Sequence, residues 1–186
     1  MSHPKPSQVL QHVQRWVEQI IIGLNFCPFA GKVFQEDQIQ YVVSEAASLS
    51  DLTDELGAVL ETFLQTDPEE ADTLLFIHPY VLQDDFLEYW DFAQHITNWL
   101  VDTGLEGTLQ LATFHPDYRF EGPDEQDPSH FTNRSPYPIL HFLREASVAQ
   151  ALRHYLAPEQ IPVRNMEKLS DMGREGIQKL WSDLKK

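Results

Sequence analysis

Between Ile39 and Phe114 the apolar residues change period four times, and this alternation constrains the fold more than any other feature of the chain. The run Ile39-Gln-Tyr-Val-Val-Ser44 is built of strand formers. Past Ser48 and Ser50 it gives way to Leu52, Leu56, Val59, Leu60 and Phe63, whose spacing is that of one helix face. The order then repeats. Thr73 to His78 is a nearly continuous apolar stretch, the pattern of a strand buried on both faces, and Asp84 opens a helix carrying Phe86, Trp90, Ala93, Ile96 and Leu100. Gly104 ends that helix, and Gly107 to Phe114 supplies a third strand. A β-α-β-α-β series over residues 39–114 with connections of this length predicts parallel crossovers. The expected fold is therefore α/β, with a small, mainly parallel sheet flanked by helices.

The flanks are read the same way. Ser7 is placed to cap a helix over 8–22, in which Leu10, Val13, Val17, Ile20 and Ile21 keep the helical period and Gly23 acts as the stop. Residues 115–138 hold five prolines and no sustained period, which predicts a long loop, and Tyr118, Phe120, Phe131 and Tyr137 favour its packing onto the body. Ile139 to Leu143 reads as a short fourth strand or a helical turn. Ser147 caps a helix to about Leu156, and 161–186 is helical with an interruption around Gly173 and an end able to fray. A chain of 186 residues, 42% apolar, can bury one core without disulfides, and no linker divides it, so residues 1–186 are expected to form a single domain.

Charge narrows the partners. No Lys or Arg occurs between Lys32 and Arg119, where Asp and Glu number 18, and the rest of the chain sets 11 acids against all 13 basic side chains. Six of the seven arginines lie from Arg119 to Arg174. A field of this sign repels phosphate backbones and anionic lipid, so neither nucleic acid nor a membrane is an expected partner; a small anionic molecule would have to bind the arginine-bearing part. The lone cysteine, Cys27, excludes a disulfide framework, and the N-terminal residues lack the apolar run of a secretory leader, which together predict a cytoplasmic protein.

Two strands end in the same dipeptide, His78-Pro79 and His115-Pro116, at the sheet edge where open parallel sheets place their sites. Proline ends a strand because it cannot donate to the ladder, so the pair reads either as two strand stops or as two imidazoles sharing one rim. Asp117, two residues past His115, could orient that ring, or share a metal with both histidines. In the segment Thr132-Asn-Arg-Ser-Pro-Tyr-Pro138 and the residues beyond it, Asn133 is a candidate polarising donor. Arg119, Arg134 and Arg144 are candidate anion binders, with His141 beside them, though loop arginines also anchor their own loops. Cys27 before Pro28 is either a thiol activated at a helix start near Lys32, or a small buried hydrophobe between Phe26 and Phe29. No phosphate-cradling glycine loop, dinucleotide fingerprint, nucleophile elbow or zinc helix is present, so no motif names a cofactor.

Three separated segments, Gly23-Leu-Asn-Phe-Cys-Pro-Phe-Ala30, Leu105 to Tyr118 with its Thr-Phe-His-Pro-Asp-Tyr ending, and Thr132 to Pro138 with His141 to Glu145, resemble an uncharacterised bacterial family, the domain of unknown function numbered 1415. The resemblance spans nearly the whole chain. It implies a bacterial, single-domain, cytoplasmic protein and carries no catalytic assignment.

These residues support two readings. In the first, the chain is a small-molecule enzyme or binding protein acting on an anionic metabolite at the carboxyl ends of the strands. His115 is acid or base, Asp117 orients it, His78 lines the rim, Asn133 polarises, and Arg134 with Arg144 holds the anion. In the second, it is a non-catalytic interaction module that docks a partner through the aromatic 115–138 loop and the acidic helices. An enclosed pocket lined by histidine and arginine favours the first, and an open apolar surface favours the second.

Overall fold

The first helix begins one residue ahead of Ser7. Pro6 opens α1 (Pro6–Trp16), where its fixed φ costs nothing, and Lys5 takes the capping position, its backbone N–H donating to Gln8 Oε1 at 3.1 Å. The computed structural model describes residues 3–153 and 155–184, so the last two residues of the expected C-terminal helix fall outside the described residues. From Val17 to Ile22 the helix continues with the wider π-type turn, and it stops at Gly23. A Cβ on Gly23 would lie 2.3 Å from the Gln19 carbonyl oxygen, so only glycine fits this close approach.

A short helix, α2 (Ala30–Gln35), leads into β1 (Ile39–Val43), and Ser48 then caps α3 (Leu49–Gln65) by accepting the Asp51 N–H. The second unit is β2 (Thr73–Ile77) and α4 (Phe86–Asp102), the latter capped by Asp85 and not by Asp84. β3 (Leu109–Phe114) completes the series. After a long loop containing one 3-10 turn (Pro128–Thr132) come β4 (Ile139–Arg144), α5 (Glu145–Arg153) and α6 (Ile161–Leu184). Ser147 lies inside α5, where its hydroxyl donates to Asp72 Oδ1 and does not cap the helix. Gly173 breaks α6 with φ 64°, as expected from its position.

The sheet is mixed, which corrects the expectation of a mainly parallel one. Its order is β1-β2-β4-β3. β1 and β2 pair in parallel with Ile39 opposite Thr73, whereas β4 enters between β2 and β3 and pairs antiparallel with both. The β-α-β-α-β series is present and its three strands point the same way, but the third is not a neighbour of the second. The long loop returns the chain to fill that gap.

Two apolar layers cover the sheet. Leu74, Phe76, Leu140 and Phe142 face α3 and α4, and Leu75, Ile77 and Ile139 face α1 and α6. The buried face of α4 is Tyr89, Phe92, Ala93, Ile96 and Leu100. Trp90, assigned by period to that face, lies on the outside, 37% exposed, where Tyr118 packs edge-on to it.

Candidate functional site

The two His-Pro endings do share one rim, although β4 separates their strands. His78 and His115 are both buried, and each ring takes hold of the same loop, residues 79–85, between β2 and α4. His78 Nδ1–H donates to the Val81 carbonyl at 2.9 Å, and His115 Nε2–H donates to the next carbonyl, Leu82, at 2.9 Å. Leu82 sits at φ 63°, a left-handed conformation costly for leucine, and this hydrogen bond helps to hold it there. His115 Nδ1 accepts the Asp117 backbone N–H at 3.0 Å, so both nitrogens of that ring are spent on backbone and the ring is a neutral Nε2–H tautomer.

Tyr89 fills the space between the histidines. Its ring stacks on His78 at 5.7 Å between centroids and lies 4.9 Å from His115. Its hydroxyl accepts the Phe114 N–H at 3.0 Å and donates to the Ile139 carbonyl at 2.8 Å, bridging two strand ends. Burial pushes the His78 pKa down to about 4 and lowers that of His115, since a charged imidazole is poorly solvated there. His78 Nε2 faces this apolar layer with no hydrogen-bond partner among the described residues.

The remaining candidates scatter. Asp117 meets His115 through its backbone, and among the described residues no group of three His, Cys, Asp or Glu is placed to hold a metal ion. Asn133 Nδ2 donates to the Thr113 carbonyl at 3.1 Å, and its own carbonyl accepts the His115 N–H, which stitches the loop to β3. Arg144 lies well away from that rim: it donates to the carbonyls of Phe63, Thr66 and Ala71 and stacks on the Phe63 ring, closing the C-terminus of α3. Arg119 pairs with Glu125 at the surface. His141 is on the opposite face of the sheet, against Thr73 Oγ1 at 2.5 Å, with its pKa lowered to about 4 by burial. Cys27 lies two residues ahead of the α2 cap, Phe29, and burial raises its pKa; Lys32 reaches Glu36 and not the thiol.

The concave surfaces lie elsewhere. An open apolar groove of about 530 Å³ runs between α3 and α4 on the face away from the sheet. Leu56 and Leu60 from α3, with Phe92 and Ile96 from α4, form its floor, and Leu49 and Trp99, about 40% exposed, stand at its rim. Glu88 and Asp91 supply the charged edge. Gly57 lies in the middle of α3 within the groove wall, and a Cβ added there would meet no atom within 4 Å. Glycine costs about 1 kcal/mol relative to alanine inside a helix, and no packing contact here demands it. Its effect is to leave the groove open. A second, smaller pocket of about 170 Å³ lies between the 125–134 part of the loop and α6, and Arg134 is the one sequence candidate that lines it. The groove escaped the sequence reading because it depends on how two helices sit side by side; its readable signals were a glycine inside α3 and the absence of basic residues.

No helix among the described residues is long and apolar enough to cross a membrane. The family model described as protein of unknown function DUF1415 matches residues 8–179, and the chain belongs to that family. No curated protein and no solved structure matches it.

Proposed function

We propose that this member of the family is a non-catalytic interaction module whose α3–α4 groove docks a basic, apolar-faced helical segment of a partner protein. The observation that carries this reading is an apolar groove with acidic edges, set in a stretch from residue 33 to 118 that holds no Lys or Arg. A floor of Leu56, Leu60, Phe92 and Ile96 matches the i, i+3, i+4, i+7 anchors of an amphipathic helix, the usual occupant of a cleft between two helices. Glu88 and Asp91 then select lysine or arginine on the partner's flanks and speed the encounter. A second copy of the chain is a poorer occupant, since it would bring one acidic segment against another. The aromatic loop buttresses the outside of α4 through Tyr118 and Phe86, at 5.2 Å, and leaves the docking to the helices.

The rival reading, acid–base chemistry on an anionic metabolite at the strand rim, has less support. Both nitrogens of His115 are engaged by backbone, and Tyr89 occupies the space a substrate would need.

The test is a titration with two synthetic helical peptides of one length, one built of Leu and Lys and the other of Leu and Glu, followed by amide and indole NMR shifts. Binding of the Leu/Lys peptide alone, with shifts centred on Gly57, Ile96 and Trp99, supports the reading. Equal behaviour of the two peptides, or shifts centred elsewhere, overturns it.

A further inference from the structure

On the far side of the sheet from the groove, Arg134 and Arg174 converge on the pocket between the loop and α6, together with Gln126 and Gln178. They come from distant parts of the chain. Arg134 follows the 3-10 turn, and Arg174 follows the break at Gly173.

Arg134 is half-buried and rigidly held. Its guanidinium carbon stands 4.4 Å over the Phe131 ring, and Nε–H donates to the Tyr118 carbonyl at 3.3 Å, while Trp16 Nε1–H donates to the Arg134 carbonyl at 3.1 Å. Arg174 is anchored more lightly, with Nη1 donating to Gln126 Oε1 at 2.5 Å. Among the described residues neither guanidinium has a carboxylate within ion-pair distance. Of the two acids at the mouth, Glu125 pairs with Arg119, and Asp127 Oδ1 accepts the Ser129 N–H at 2.8 Å, which orients that carboxylate and leaves its charge in place. Two guanidinium groups, Arg134 half-buried and Arg174 exposed, therefore face one pocket with most of their N–H donors unspent. Burial and the charges of Arg119 and Arg174 both lower the Arg134 pKa, while Asp117 opposes them.

We infer that this pocket binds a small oxyanion carrying two negative charges, of the phosphate or phosphomonoester class. One planar fork suits a carboxylate, but two converging forks suit a tetrahedral group with three or more acceptor oxygens. The side-chain amides of Gln126 and Gln178 add donors, and about 170 Å³ holds a phosphoryl group with a small organic substituent and nothing nucleotide-sized. The site is independent of the groove proposed above.

The test is calorimetric titration of the full chain with inorganic phosphate and, separately, with methyl phosphate, in chloride of matched ionic strength. Wild type is expected to bind one equivalent, and Arg174→Gln to bind about tenfold more weakly, the loss expected for one charge-assisted partner. Because Arg174 is exposed, that variant keeps the fold, whereas Arg134→Gln also removes the contact with Phe131. Arg153→Gln, remote from the pocket, should match wild type. Tighter binding of methyl phosphate identifies a phosphorylated metabolite, and tighter binding of inorganic phosphate identifies the free ion; either supports the site. No heat beyond that of chloride, or unchanged affinity in Arg174→Gln, overturns it.

Discussion

His78 and His115 donate to consecutive carbonyls of one loop, Val81 and Leu82, each at 2.9 Å. Two strands that are not neighbours thus grip the entry to α4, the helix that forms one wall of the groove. Replacing His115 with Phe keeps an aromatic ring, though a larger one, but strands the buried Leu82 carbonyl and the partly buried Asp117 N–H. The expected loss is roughly 2–4 kcal/mol, measured as a lower urea midpoint with an unchanged slope. A His115→Phe protein within about 0.5 kcal/mol of wild type would deny the clamp.

Stability should fall on mild acidification. His78 and His141 have pKa values lowered to about 4 in the folded protein, against an ordinary 6.5 when unfolded. Below 6.5 the unfolded chain takes up protons that the folded chain refuses, so the contribution of these rings is complete above that value and drains away as pH falls towards 4. At pH 5 the two together cost about 4 kcal/mol relative to pH 7.5. Urea midpoints across that range measure it, and His141→Asn should remove about half of the slope. A flat profile in wild type would show that the buried rings do not resist protonation.

The strand and helix series was legible in the sequence because Thr73 to Ile77 is apolar on both faces and Leu52, Leu56, Leu60 and Phe63 repeat at the helical period. The common rim of the two histidines was legible too, from proline's effect on strand ends. What was not legible depends on contacts distant in sequence. Nothing local tells Ile139–Arg144 to enter antiparallel between β2 and β3, a pairing that sets Thr73 opposite Leu143 and Leu109 opposite Arg144. The α4 stripe was read one residue off at Trp90, because Tyr89 is drawn inward by the Ile139 carbonyl and the Phe114 N–H. Arg144 looked like an anion binder in a motif rich in donors, yet its ligands are backbone carbonyls of a helix end more than 60 residues away.

That placement gives Arg144 a structural test. Its Nε and Nη2 serve three carbonyls while the guanidinium plane stacks on Phe63, a geometry that a lysine ammonium cannot reproduce. Arg144→Lys is expected to cost about 2 kcal/mol and to speed hydrogen exchange in the last turn of α3. It should leave phosphate binding at the Arg134–Arg174 pocket unchanged. Wild-type stability in Arg144→Lys would mean that charge alone suffices at that helix end.

Gly57 is the position where shape and stability are set against each other. Gly57→Ala, whose new methyl enters open space, is expected to stabilise the protein by about 0.5–1 kcal/mol, a rise in melting temperature of roughly 1–4 °C. An unchanged or lower melting temperature would mean that the glycine serves the fold itself.

The most direct measurement is the affinity of the Leu/Lys helical peptide for wild type and for Gly57→Phe, whose ring fills the groove while the rest of the surface charge stays the same. Binding at least about tenfold weaker in Gly57→Phe, with melting temperature maintained, is the expected result for docking between α3 and α4. Equal affinity for the two proteins would mean that the peptide is held by diffuse negative charge alone, and would contradict a built docking site.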